Sequence, residues 1–71
     1  MPTTELDPDA AALLRMVAAL HERHEVVTVQ AAAIGAGLTY MLAYDLVNRL
    51  FNEGLLSHDL KVTEAGTKAL G

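Results

Sequence analysis

Asn48-Arg49-Leu50-Phe51-Asn52-Glu53-Gly54-Leu55-Leu56, followed by Val62-Thr63-Glu64-Ala65-Gly66 and Leu70, is the stretch whose reading decides the fold. It predicts a helix stopped at Gly54, where glycine tolerates the left-handed turn that ends helices. Leu55-Leu56-Ser57 and Leu60-Lys61-Val62 then look like two short strands of a hairpin, with His58-Asp59 at its tip. Thr63 is placed to cap a last short helix running through Leu70.

Upstream, the same punctuation recurs. Residues 1–6 read as a loose leader to a single domain covering 1–71. Asp7-Pro8 opens a first helix, since Asp accepts from free backbone N–H groups and Pro suits the first helical position. That helix runs to about Arg23, with Leu13, Leu14, Val17, Leu20 and His21 on one face. Glu25-Val26-Val27-Thr28 suits a brief strand or an extended link. Thr28 caps a second helix from Val29 to about Ala36, and Gly37 ends it. Leu38 plugs the turn. Thr39 caps a third helix, Tyr40 to Glu53.

Composition narrows the possible functions. The chain has 71 residues, 52% of them hydrophobic, with no cysteine and no tryptophan. Disulfides and thiolate metal sites are excluded, and the core must be built mostly from Leu, Val and Ala. A core that light makes a dimer reasonable. Five Lys and Arg against nine Asp and Glu give a net charge of −4. DNA affinity draws largely on Lys and Arg neutralising phosphates, so a tight non-specific coat protein is disfavoured. No secretory signal is evident, which points to the cytoplasm. Val26 to Tyr44 carries no charge over nineteen residues, near bilayer-spanning length. Gln30, Thr28, Thr39, Gly35 and Gly37 interrupt it, and Glu25 and Asp45 flank it. A helix pair buried in a small globule, with no membrane contact, fits better.

The order helix, short strand, helix, turn, helix, hairpin, helix resembles the winged helix-turn-helix transcription regulators of bacteria, archaea and phages, of the MarR-like type. The residues that carry the resemblance are Ala32, Gly37 and Leu38 in the helix-turn-helix, and Ala43, Val47 and Leu50 on the buried side of the third helix. Gly54-Leu55-Leu56 leads into the wing, and Val62-Thr63-Glu64-Ala65-Gly66 with Leu70 follows it. The resemblance implies a mainly α fold with a small β-hairpin (α+β), about three core helices and a short C-terminal helix. It also implies a small DNA-binding transcription regulator whose third helix enters the major groove of double-stranded DNA.

Carried onto this chain, Thr39, Tyr40, Met41, Tyr44, Asp45 and Asn48 would face the groove. His58 and Asp59 would form the wing tip, with Lys61 behind. Tyr40 and Tyr44 can donate to phosphate oxygens, and Asn48 can pair with an adenine edge. Arg49, Lys61 and Lys68 would touch backbone. The groove-facing set has no Lys or Arg, however, and Arg49 is the helix's only base. The alternative is therefore a protein-interaction module. Met41, Leu42, Leu46 and Phe51 make the third helix apolar around much of its circumference, and a second copy or another protein could cover them.

Other chemistry has less support. His21 and His24 stand at i, i+3, but no third ligand accompanies them. They read as a partly buried residue on the apolar face and a helix-end residue. Gly35-Ala36-Gly37 lacks the strand and the Lys-Ser/Thr of a phosphate loop. Ser57 has no base except adjacent His58, which alternates to the other face of a strand. No catalytic residue, cofactor or metal is expected.

Overall fold

The computed structural model describes residues 7–70; the leader, residues 1–6, lies outside them. Four helices follow in order: α1 (Pro8–Glu22), α2 (Val29–Ala36), α3 (Tyr40–Asn52) and α4 (Glu64–Leu70). No β-strand occurs among the described residues. The expected α+β winged helix with its hairpin is therefore corrected to an all-helical architecture. What stands in place of the hairpin is one isolated antiparallel bridge, Leu56 to Val62.

The cause lies in the second expected strand. Leu60 adopts a left-handed backbone, φ 59°, which no extended strand accommodates. Its N–H donates to the Ser57 carbonyl, 2.9 Å, and Ser57 N–H donates to the Lys61 carbonyl, 2.8 Å. Residues 57–61 thus close on themselves as a tight turn. Ser57 Oγ also accepts from Lys61 N–H, 3.2 Å. A lone two-stranded ribbon is marginal in water in any case. Turning Leu60 inward, half-buried against the core, replaces ladder bonds with apolar contact.

The ends of α1, α2 and α3 share one mechanism. In each, a left-handed residue reverses the chain, and the following N–H donates back to a carbonyl five residues earlier. The left-handed residues are His24, Gly37 and Gly54. The closing bonds are Glu25 N to Leu20 O (3.0 Å), Leu38 N to Ala33 O (2.9 Å) and Leu55 N to Leu50 O (3.0 Å). Leu38 and Leu55 then pack on the core. His24 is the non-glycine exception, at φ 60°. For an L-residue that backbone costs about 1–2 kcal/mol. Glycine removes the cost but frees the unfolded chain by about 0.5–1 kcal/mol. His24→Gly should therefore raise stability by about 0.5 kcal/mol, a melting temperature a few degrees higher in a thermal scan.

Helix starts behave less uniformly. Thr28 Oγ1 accepts from Ala31 N–H (3.0 Å) and Thr39 Oγ1 from Leu42 N–H (3.3 Å). Asp7, expected to cap α1, makes no side-chain cap; its carboxylate lies 3.7 Å from Arg49 instead.

The core runs between the helices: Leu13, Leu14 and Val17 of α1, Ala32 and Ala33 of α2, and Ala43, Leu46, Val47 and Leu50 of α3, with Leu56 behind. On α3 these residues recur at i, i+3, i+4 and i+7, one continuous stripe. The uncharged run is not a fully buried pair. Gly37 does fold it into two helices, but Ile34, Tyr40, Met41, Leu42 and Tyr44 remain exposed. His21, expected to be partly buried, is exposed as well. Among the described residues, no helix is long and apolar enough to cross a membrane.

Candidate nucleic-acid interface

Two helices joined by the three-residue turn Gly37-Leu38-Thr39 form the frame of the candidate site. Gly37, at φ 74° and ψ 31°, bends the chain. Leu38 pins the bend to the core, and Thr39 starts α3. Short turns containing glycine commonly join helix pairs.

The buried stripe of α3 fixes what the helix shows outward. At about 100° per residue, Met41, Asp45, Asn48 and Asn52 point most directly away from it. All four are exposed. Tyr40 and Tyr44 lie on one flank, each 52% exposed, with ring centroids 6.2 Å apart and planes 19° from parallel. One turn apart, the two side chains are neighbours on the helix surface. Leu42 and Arg49 lie on the other flank.

Arg49 bridges two acids. Its guanidinium is 3.7 Å from an Asp7 oxygen and 3.8 Å from an Asp45 oxygen, with all three side chains more than half exposed. Exposed pairs of this kind contribute about 0–1 kcal/mol. A phosphate can therefore compete for Arg49 at little cost.

The remaining candidates divide. Thr39 is the N-cap of α3, next to backbone N–H groups of the first helical turn. His58 is not on a wing; its ring stacks on Phe51 at 5.0 Å and 24°, tying the 57–61 turn to the end of α3. Lys61 and Asp59 are exposed on that turn, and Lys68 is exposed on α4.

The expected apolar interface is corrected in part. Leu46 is only 3% exposed and belongs to the core, because it completes the i, i+3, i+4 stripe. Phe51 is half-buried, packed against the core on one side. Met41, at 79%, and Leu42, at 40%, do stand exposed. Two further residues stand outward without a sequence signal of their own. Asn52, at the end of α3, lies on the same outward stripe as Asn48 by its spacing. Ile34, 72% exposed, lies in the uncharged run expected to be buried.

Among the described residues no polar or charged side chain is buried, and no three His, Asp or Glu side chains cluster as a metal site would need. Compared with protein-family models, curated proteins and solved structures, the chain matches none.

Proposed function

We propose that this chain is a small cytoplasmic helix-turn-helix protein that binds double-stranded DNA to regulate transcription, with α3 in the major groove. The observation that carries the reading is the Gly37 turn, which sets α3 with an outward stripe rich in hydrogen-bonding groups rather than in apolar ones. Tyr40 and Tyr44 can donate to phosphates, and the free N–H groups at the start of α3 suit a phosphate beside Thr39. Arg49 supplies the one cation of the helix. A homodimer would add two weak half-sites together.

The charge balance sets the magnitude. With about two phosphate contacts, the logarithm of the binding constant should fall with log salt at a slope of about −2. Raising salt from 50 to 200 mM would then cost about tenfold, against the thousandfold or greater loss of a strongly basic binder. Fluorescence anisotropy with a labelled duplex at several salt concentrations measures this. Absence of binding at micromolar protein and low salt would overturn the reading.

A second reading, capture of another protein or a second copy by the end of the helix pair, is favoured by one observation. Ile34 and Met41 flank the Gly37 turn and are both largely exposed. That reading expects salt-insensitive association and no response to DNA. The burial of Leu46 narrows its contact surface.

A further inference from the structure

We infer that the outward stripe of α3 selects A·T base pairs, an inference that rests on the DNA-binding reading above. Asn48 and Asn52 are both exposed on α3. Four residues apart, they leave the helix within about 40° of one another. Their positions differ by about 6 Å along the axis, close to two steps of about 3.4 Å along stacked bases. A carboxamide is matched to adenine in the major groove: its NH2 donates to N7 and its oxygen accepts from the N6 amino group. The pair can thus read two adenines one or two positions apart.

Guanine asks for different chemistry. Its O6 and N7 are both acceptors, and a two-bond contact takes Arg or Lys. The one such residue on α3, Arg49, sits about 100° around the helix from Asn48. Its guanidinium lies between Asp7 and Asp45. Asp45, the acceptor that would suit the cytosine amino group, is 3.8 Å from that guanidinium, and its own negative charge is repelled by the phosphates that line the groove. Tyr44, one turn before Asn48, adds a ring that can rest on a thymine methyl. The stripe therefore offers two adenine readers and an apolar partner for thymine, with no guanine reader beside them.

The test titrates the intact protein against two labelled duplexes of equal length at low salt, one A·T-rich and one G·C-rich. A third duplex carries 7-deazaadenine, which lacks the N7 acceptor, throughout the A·T-rich sequence. The A·T-rich duplex should bind about tenfold tighter or more, and the 7-deaza version should lose that advantage. Asn48→Ala and Asn52→Ala, both at exposed positions, should each weaken A·T-rich binding more than G·C-rich binding. Equal affinity for the two natural duplexes, or a preference that survives 7-deazaadenine, overturns the inference and leaves DNA binding standing. Failure to bind any duplex removes the DNA reading itself, and the inference with it.

Discussion

Gly66→Ala should destabilise the domain by about 2 kcal/mol, although alanine is the better helix former by about 1 kcal/mol. Gly66 is buried in α4, and a Cβ there would overlap the Leu55 carbonyl oxygen and crowd a Val62 methyl. Neither the backbone of Leu55 nor the β-branched Val62 can step aside easily. Leu55 is fixed from both directions, since its N–H donates to Leu50 O and its carbonyl accepts from Thr63 N–H at 3.1 Å. Relief must come from α4 moving away from the Leu55 backbone. That movement strains the links made by Thr63, whose hydroxyl donates to Gly54 O at 2.7 Å and accepts from Gly66 N–H at 3.0 Å. In a domain of this size, about 2 kcal/mol corresponds to a fall of about 10 °C in melting temperature.

Gly35→Ala is the control. Its Cβ would meet the end of the Met16 side chain, which is unbranched and can rotate away. There the gain in helix propensity and the repacking cost nearly cancel, so stability should stay within about 1 kcal/mol of the parent. Circular dichroism melts of the two variants decide the matter. Equal, small effects would show that α4 is not held against Leu55 as described.

The contrast between these glycines also shows what the chain made legible. Thr28, Thr39 and Thr63 announce helix starts, and Gly37 and Gly54 announce stops, because capping and left-handed turns are local devices. The spans of α2, α3 and α4 follow from them closely. The wing did not follow. Leu60-Lys61-Val62 has strand-like alternation, and nothing in a leucine signals that its own backbone will turn left-handed to bury the side chain. Asp7 looks like a cap until α3 brings Arg49 near it, a contact between residues far apart in sequence. Leu46 was within reach: with Ala43, Val47 and Leu50 it completes the stripe that a buried helix face requires. Apolar residues stand around much of the α3 circumference, so that stripe, and Asn52 opposite it, become evident only once the buried side is fixed.

Introducing the same charge at two α3 positions five residues apart should therefore give opposite results. Leu46→Arg places a guanidinium where the parent side chain is 3% exposed, with no buried acid to receive it, since no charged side chain is buried among the described residues. An unpaired charge so placed costs about 4 kcal/mol or more. A single small core supplies only about 3–5 kcal/mol in total. This variant should be largely unfolded at 25 °C by circular dichroism, whatever its partners are. Met41→Arg lies about 140° around the helix, at a position 79% exposed, so stability should change by no more than about 0.5 kcal/mol. There the added cation joins the outward stripe of α3. If α3 docks on DNA, the variant should bind duplex more tightly, and its salt dependence should steepen by about 0.9 in slope. If the face instead serves apolar contact with a protein, the same arginine should weaken association and leave duplex binding absent. A folded Met41→Arg protein with unchanged duplex affinity and unchanged self-association would remove α3's outward stripe from DNA binding and from pairing with a second copy, because a charge cannot enter either interface there without consequence.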